Sequence, residues 1–280
     1  MTDIEDILYV LERLKMIPIK HFRLSQYRFT FTPEDIILMP KNNKGNIIRG
    51  AFGATLKKLI CINQSSEDCA ACSRKSTCPF QLIFKPVGLV DQKRLKDVPR
   101  GFIINPPIDS ETIYTPERPF VFDMILVGKL LNCIPWIVVP FNELGRYGIG
   151  KNRGRFKLNG IDLITDDAVI PLYNPENSLF TNYQQQITGE AILQKTERFT
   201  GNRIVLEFLT PTRIRFNPSG IKGGSIVVKE PEFHHIIRRL ITRVSALSSA
   251  YLDVQLDMDF RGIVERAMDV RVVDMNIRWE

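Results

Sequence analysis

The order of the predicted secondary-structure elements in residues 1–165 restricts the fold more than any other feature. Residues 21–31 alternate apolar and polar side chains, which is typical of a half-buried strand, and a break in the alternation predicts a bulge near Ser25. The following periodicity predicts a helix, two strands, a buried helix and a last strand, at residues 47–62, 99–107, 118–128, 129–145 and 156–164. The resulting β-α-β-β-α-β order is that of a ferredoxin-like fold, so we predict an α+β protein.

The rest of the chain repeats part of this order. A polar segment at residues 166–200 predicts a linker with one short strand at 190–198. The pattern beyond it predicts a strand or bent strand pair, a long amphipathic helix, a short helix and a strand, at residues 203–216, 232–252, 260–270 and 271–279. We therefore predict a first ferredoxin-like domain at residues 1–165, with a cysteine-rich insertion at 61–80, and after the linker an incomplete second ferredoxin-like domain at residues 201–280.

The charge of the chain favours a polyanionic partner. Its 38 Lys and Arg residues outnumber its 31 Asp and Glu residues, which gives a formal net charge of +7. Such an excess favours nucleic acid first and an anionic membrane second. Residues 1–18 predict an amphipathic helix and not a signal peptide, and no segment approaches the ~20 apolar residues of a membrane span. We expect a cytoplasmic protein with no membrane partner, in which thiols stay reduced.

Four of the five cysteines fall between residues 61 and 78. Their spacing is C-x7-C-x2-C-x5-C, and they are Cys61, Cys69, Cys72 and Cys78. Thiolates at such spacing suit a structural zinc ion, and the short polar loop between them gains its shape from a metal. An iron–sulfur cluster takes the same ligands, and unrelated thiols or disulfides are the other interpretations. Cys133 lies in the predicted buried helix and is expected to be a core residue.

Glycines and cations alternate in residues 145–156. The loop follows a predicted helix and precedes a strand, the reverse of a dinucleotide-binding loop, and it does not fit a P-loop. We expect its backbone N–H groups and cations to contact the phosphates of a nucleic acid; a flexible turn with solvated charges is the alternative. On the long helix, His235 and Arg239 lie one turn apart and off the apolar face, which gives a second basic patch.

Several motifs follow one another in an order that resembles the CRISPR-associated pre-crRNA-processing endoribonucleases of the RAMP superfamily. The motifs are N-I-I-R-G-A-F-G-A-T-L (46–56), the cysteine cluster with Pro79, F-N-E-L-G-R-Y-G-I-G-K-N-R-G-R-F (141–156), L-E-F-L-T-P-T-R-I (206–214) and the R-R-L of the long helix. The resemblance runs from about residue 20 to the end of the sequence. It implies tandem ferredoxin-like (RRM-like) domains and metal-independent cleavage of CRISPR repeat RNA, in which the 2′-OH attacks the adjacent phosphate. Such chemistry needs a base, an acid and cations.

The sequence departs from this family in two respects. Many relatives carry a histidine on the first helix, whereas here Ala54 follows Gly53. General chemistry leaves His21, Tyr27 and Lys57 as catalytic candidates. The predicted RNA-binding residues are Arg49, Arg146, Gly148, Gly150, Lys151, Arg153, Arg155, His235 and Arg239. Relatives also continue beyond the final R-W-E with further strands, a helix and a second glycine-rich loop.

Three functions remain open from the sequence. The first is a pre-crRNA-processing endoribonuclease that needs no cofactor for catalysis, and the closeness of the motifs favours it. The second is a non-catalytic RNA-binding subunit of a CRISPR effector complex, which the missing helix histidine favours. The third is a zinc-stabilised interaction module without an RNA partner. The expected partners are accordingly CRISPR repeat RNA, subunits of an effector complex, or a second copy of this chain.

Overall fold

The computed structural model describes residues 18–63, 68–86, 98–177, 179–181, 183, 185–197, 200–221 and 223–279. The helix predicted at residues 1–18 lies outside these residues, apart from Pro18, which begins a short 3-10 helix, Pro18–His21. None of the helices within the described ranges is long and apolar enough to cross a membrane.

The first unit has the predicted β-α-β-β-α-β order. Its elements are β1 (Arg23–Pro33), β2 (Ile37–Leu38), α1 (Lys44–Ile60), α2 (Pro79–Ile83), β3 (Phe102–Asn105), β4 (Ile113–Tyr114), β5 (Phe120–Val127), a 3-10 helix (Gly128–Cys133), α3 (Pro135–Tyr147) and β6 (Phe156–Ile164). The main order is formed by β1, α1, β3, β5, α3 and β6, and the remaining strands of this unit form a small separate sheet, β2 with β4. The prediction of an α+β protein is confirmed.

An antiparallel sheet of order β3-β5-β1-β6 forms the centre of this unit. The bulge predicted near Ser25 is wrong, because β1 pairs with β5 without interruption from Leu24 to Phe31. The register shift lies instead between Thr30 and Phe31, on the side of β6. Ser25 breaks the apolar alternation because it occupies a core-facing position, 1% exposed, where its hydroxyl donates to the Gln185 carbonyl oxygen at 2.9 Å.

Aromatic rings fill the core between the sheet and the two helices. Phe52 of α1 stacks on Phe141 of α3 at 4.9 Å between ring centroids, and Phe29 of β1 stacks on Phe122 of β5 at 5.4 Å. The predicted helix at 129–145 is divided into the second 3-10 helix and α3. Cys133 is buried, as predicted, and burial raises the pKa of its thiol to about 11.

Residues 166–200 contain four short strands and a helix within their described part. These are β7 (Val169–Pro171), β8 (Tyr173–Asn174), β9 (Leu179–Phe180), β10 (Ile187–Thr188) and α4 (Gly189–Thr196). Strands β7 and β10 join the large sheet by pairing with β6 and β1. The strand predicted at 190–198 is wrong, because this segment forms α4. Thr188 caps that helix by accepting a hydrogen bond from Ala191 N at 3.1 Å.

The remaining described residues form β11 (Arg215–Phe216), β12 (Ile226–Val227), α5 (Phe233–Tyr251) and α6 (Phe260–Met268). Both predicted helices are confirmed. Of the strand predicted at 203–216, only Arg215–Phe216 is formed, and the strand predicted at 271–279 is wrong. Residues 203–214 and 271–279 have no regular structure, and their apolar side chains are exposed, 94% for Val205 and 80% for Val273. A strand is stable only when a neighbour pairs with its backbone, and no described strand pairs with these segments. The tandem ferredoxin-like arrangement stays a prediction.

The C-terminal half of α5 packs on the first unit. Leu247 and Tyr251 are buried, whereas Leu240, further towards the N-terminus, is 53% exposed. The ring of Tyr251 lies so close to Gly101, just before β3, that a Cβ on this glycine would come within 2.7 Å of a ring atom. The position of α5 therefore depends on a glycine at residue 101.

Candidate nucleic-acid interface and cysteine cluster

The glycine–arginine loop, residues 148–155, folds back between α3 and β6. Gly148 and Gly150 have φ values of 77° and 83°, in the region that favours glycine. A Cβ on Gly148 would lie 2.0 Å from the Arg153 carbonyl oxygen, and one on Gly150 would lie 2.4 Å from that of Leu38. These two glycines therefore allow the loop to close on itself and to pack against β2.

Most backbone N–H groups of the loop are used inside the protein. Lys151 N donates to Leu38 O at 2.9 Å, Gly148 N donates to Leu144 O at 2.8 Å, and Ile149 and Gly154 exchange two hydrogen bonds. These N–H groups are not available to a phosphate, which differs from the expectation of backbone contact. Any contact between this part of the loop and a nucleic acid falls to its side chains.

Asn152 fixes the loop on β2, although no sequence pattern singled it out. Its Oδ1 accepts from Leu38 N at 3.0 Å and its Nδ2 donates to Ile36 O at 2.5 Å. The signal that could have identified it is the asparagine between two glycine turns, because a short amide side chain readily replaces backbone partners in loops. The loop is thus held rigidly at both ends and at its centre.

The cations of the loop and Arg146, in the last turn of α3, differ in how far they are neutralised. Arg155 makes a bidentate ion pair with Asp35, with Nε 2.7 Å from Oδ2, and this guanidinium lowers the pKa of the Asp35 carboxyl. The Arg146 side chain is 81% exposed and has only a long 3.3 Å contact with Glu143. Lys151 and Arg153 are exposed, and their side chains have no hydrogen-bond or ion-pair partner among the described residues. Three cations are thus directed at solvent.

Both residues of the predicted basic patch on α5 make hydrogen bonds within the protein. His235 Nδ1 accepts from Glu232 N at 3.1 Å in the capping box at the start of the helix, and Arg239 Nε donates to Arg215 O at 2.7 Å. Burial lowers the pKa of His235, and the neighbouring His234 adds to this effect. Ligand atoms of Glu232, His234 and His235 lie within 4.8 Å of one another, a metal-ligand spacing not expected from the sequence. The capping box accounts for this arrangement.

The three catalytic candidates have different environments. His21 is exposed at the end of the first 3-10 helix, and Lys57 is half-buried on α1. Tyr27 is 1% exposed on the core face of β1, and burial raises the pKa of its hydroxyl. A hydroxyl buried in the sheet core cannot reach an RNA in solvent, so Tyr27 is not compatible with a direct catalytic role.

The four cysteines line one cavity next to the end of α1. Cys61 directly follows α1, Cys78 precedes α2, and Cys69 and Cys72 lie on the turn between these helices. Burial raises the pKa of the Cys69 thiol; the nearby Lys85 opposes this rise, while Cys61 and Cys78 add to it. All five cysteines are free thiols, so the alternative of disulfides is wrong.

The fit of these cysteines to zinc is good in ligand type and incomplete in spacing. Four thiols around one cavity are the donor set that a structural zinc ion takes. No three of their sulfur atoms lie within 4.8 Å of one another, whereas ligands at ~2.3 Å from a zinc ion lie about 4 Å apart. Binding of a zinc ion would therefore require the turn to bring the four sulfur atoms closer together.

Three arginines from separate elements share a second pocket. Arg49 of α1, Arg100 just before β3 and Arg243 of α5 line it, and we call this site the arginine pocket. Its apolar wall consists of Val98, Pro99 and Phe102. The sequence marked Arg49 alone, because no local pattern shows that a loop and a distant helix bring two more arginines to it.

Residues 22–187 share their sequence pattern with a known family. They match the family named AF_1859_N, described as an N-terminal domain, and the match spans more than half of the 280 residues. The chain belongs to the AF_1859_N family. The region matched to AF_1859_N contains the glycine–arginine loop, the four cysteines and two of the three pocket arginines; Arg243 lies beyond it.

Other comparisons give a structural likeness and no curated relative. Among solved structures, the chain is similar to a chain of the "Csm3-Csm4 subcomplex in the type III-A CRISPR-Cas interference complex", with 16% sequence identity and a TM-score of 0.34. This similarity covers 65% of the present chain and 98% of the other. No curated protein matches the sequence.

Proposed function

We propose that this member of the AF_1859_N family binds RNA, and that its ligand is the CRISPR repeat RNA suggested by the sequence resemblance. The observation that carries the proposal is a set of cations directed at solvent: Lys151 and Arg153 on the fixed glycine–arginine loop, and Arg146 in the last turn of α3. Cations on a fixed backbone contact the phosphates of a nucleic acid at a small entropic cost. The net charge of +7 acts in the same direction.

An exposed aromatic ring lies beside these cations. Tyr147, the last residue of α3, is 42% exposed, and the Lys58 ammonium lies 3.9 Å from its ring centroid. Proteins that bind single-stranded nucleic acid combine cations for the phosphates with aromatic rings on which bases stack. Tyr147 next to Arg146 offers this combination, and it supports single-stranded RNA as the ligand.

Metal-independent cleavage of the bound RNA is the second candidate function. The exposed imidazole of His21 favours it, since histidine is the side chain that most often acts as a general base. Lys57 is the other catalytic candidate, because Tyr27 is buried; it would supply a cation. The burial of Tyr27 and the absence of a histidine from α1 favour binding over cleavage, as in a non-catalytic subunit of a CRISPR effector complex.

We also propose that Cys61, Cys69, Cys72 and Cys78 hold a structural zinc ion. The ion would connect the end of α1 to the start of α2 and would take no part in catalysis. Its four thiolates are supplied by two helix ends and one turn, all within the cysteine cavity.

The binding proposal is tested by fluorescence anisotropy with single-stranded repeat RNA over a range of NaCl concentrations. Removing one cation that contacts a phosphate changes the slope of log affinity against log salt by about 0.7 for a single strand. We expect Arg153→Gln to weaken binding several-fold and to reduce the slope by about this amount. Arg261→Gln is the matched control, because Arg261 lies on α6, is 90% exposed and is paired with Glu265.

A cleavage assay with the same protein distinguishes the functions that remain open. Incubation with end-labelled RNA in EDTA shows whether a product with a cyclic phosphate forms, and His21→Ala tests the candidate base. Binding without a product supports the RNA-binding subunit. If the wild type binds RNA no better than a neutral polymer at low salt, the RNA proposal is wrong, and the zinc-stabilised interaction module remains.

A further inference from the structure

The arginine pocket collects three positive charges that no described carboxylate neutralises. Ion pairs are common elsewhere on this surface, as between Arg28 and Asp123 at 2.8 Å. Among the described residues, no carboxylate oxygen lies within the 4.0 Å of an ion pair to Arg49, Arg100 or Arg243. Guanidinium groups stay protonated in proteins, so the three charges repel one another unless an anion lies between them.

One buried donor of the pocket has no partner among the described residues. Arg49 Nε is buried and makes no hydrogen bond to any of them. The Tyr251 hydroxyl lies near the charges of Arg100 and Arg243; burial raises its pKa to about 12, against the effects of the Gly101 backbone N–H and of these cations. Buried donors without a partner are rare, and an ion or water that completes the site is a common reason for them.

Arg100 is held in place before any ligand arrives. Its Nε donates to the Phe84 carbonyl oxygen at 2.7 Å, and its guanidinium carbon lies 4.6 Å from the centre of the Phe84 ring. Stacking fixes the plane of the guanidinium, so its terminal N–H groups keep one direction. Burial and the charges of Arg49 and Arg243 lower the pKa of Arg100, which reflects the mutual repulsion within the pocket.

We propose that the arginine pocket binds one phosphate group of the RNA, an inference that rests on the proposed function. A tetrahedral phosphate offers several oxygens to planar guanidinium forks, and arginine is the residue that recognises it through paired hydrogen bonds. The apolar wall of Val98, Pro99 and Phe102 keeps water from one side. Because Arg49 and Arg243 lie on α1 and α5, the bound phosphate would also connect these two helices.

The main test is the salt dependence of RNA affinity in the full chain. We expect Arg243→Gln to weaken binding about ten-fold, as for the loss of a charge-assisted hydrogen bond. Arg49→Gln combined with Arg243→Gln should weaken binding further, but the salt slope should fall by no more than about 0.7 in total, because both side chains contact the same phosphate. Arg243→Lys keeps the charge and loses the fork, so we expect weaker binding with an unchanged slope. Arg261→Gln is again the control.

The outcomes separate the pocket from the proposed function. If the wild type binds RNA and Arg243→Gln behaves like Arg261→Gln, the pocket proposal is overturned and the RNA proposal stands. If the wild type binds no RNA, both fail. A slope that falls by about 0.7 for each arginine removed also overturns the proposal, because it indicates separate phosphates. Circular dichroism of each variant confirms that it is folded.

Two further arms identify the source of the anion. Sodium phosphate should raise the melting temperature of the wild type more than NaCl of equal ionic strength, and the rise should be lost in Arg243→Gln. The additional rise caused by phosphate is then measured in the presence of RNA. If only 5′-phosphorylated RNA abolishes this rise, the pocket binds an end phosphate. If 5′-hydroxyl RNA abolishes it as well, the pocket binds an internal phosphate. Asp97 precedes the pocket in sequence and lies outside the described residues. If Asp97→Asn strengthens phosphate binding, the pocket already holds a carboxylate of this chain, and the proposal is wrong.

Discussion

Two glycines of α1 form a matched pair that tests how this helix packs. A Cβ on the exposed Gly50 has no heavy atom within 4 Å, whereas a Cβ on the buried Gly53 would lie 2.1 Å from Phe84 Cζ. Alanine raises the helix propensity at either position by about 1 kcal/mol. At Gly53 the same methyl group overpacks the contact with Phe84, which costs about 1–3 kcal/mol. We therefore expect Gly50→Ala to stabilise the protein by about 0.5–1 kcal/mol and Gly53→Ala to destabilise it by about 1 kcal/mol.

Differential scanning calorimetry measures both variants under the same conditions. A change of 1 kcal/mol moves the melting temperature of a domain of this size by about 2–4 °C, so the two variants should differ by roughly 4 °C. Gly53→Ala should also weaken RNA binding, since Phe84 supports Arg100, whereas Gly50→Ala should not. Equal melting temperatures for the two variants would refute the close packing of Phe84 on Gly53.

Two more predictions concern a metal and a pH dependence. Removal of metal with a chelator, or the substitution Cys72→Ser, should lower the melting temperature by several degrees. Cys133 lies outside the cysteine cavity, so Cys133→Ser should leave the effect of the chelator unchanged. A chelator that has no effect on the wild type contradicts the zinc proposal. Burial alone would raise the pKa of the Asp109 carboxyl, but hydrogen bonds from Lys44 and Tyr114 outweigh it and lower this pKa below 3.8. The ionised Asp109 carboxylate should therefore stabilise the protein above about pH 4, and this stabilisation should be lost as pH falls through the lowered pKa. We expect Asp109→Asn to reduce the free energy of unfolding by about 1 kcal/mol at pH 7 and by less at pH 2.5. Equal reductions at both pH values would contradict this reasoning.

Local periodicity determines most of the first unit. The alternation along residues 23–33 and the helical spacing of Phe52 and Leu56 describe the same buried faces that the structure contains. The pattern is misleading at Ser25, since a buried serine with a hydrogen-bond partner has the same sequence signature as a bulge. The segments at 203–214 and 271–279 have strand-like sequences, but pattern alone cannot show whether a partner strand is present.

The candidate site is only partly visible in the sequence. The glycine–arginine loop is recognisable, but the pattern does not show that its glycines allow close packing within the loop and against β2. The arginine pocket depends on three residues far apart in sequence, Arg49, Arg100 and Arg243. Their convergence is a result of how the C-terminal half of α5 packs on the first unit, which local sequence patterns do not show.

The arginine pocket is shaped by packing and not by ion pairs with the described residues. Gly53 lets the ring of Phe84 approach α1, and that ring supports Arg100; Gly101, the next residue, lets the ring of Tyr251 approach from α5. Each glycine replaces a Cβ that would overlap with an aromatic ring. The Phe84 ring thus holds Arg100 in position without neutralising it, so the pocket keeps its positive charge. An ion pair would have fixed the arginines equally well but would have removed the attraction for an anion, so the use of glycine–aromatic contacts is itself an argument that this pocket serves binding and not stability.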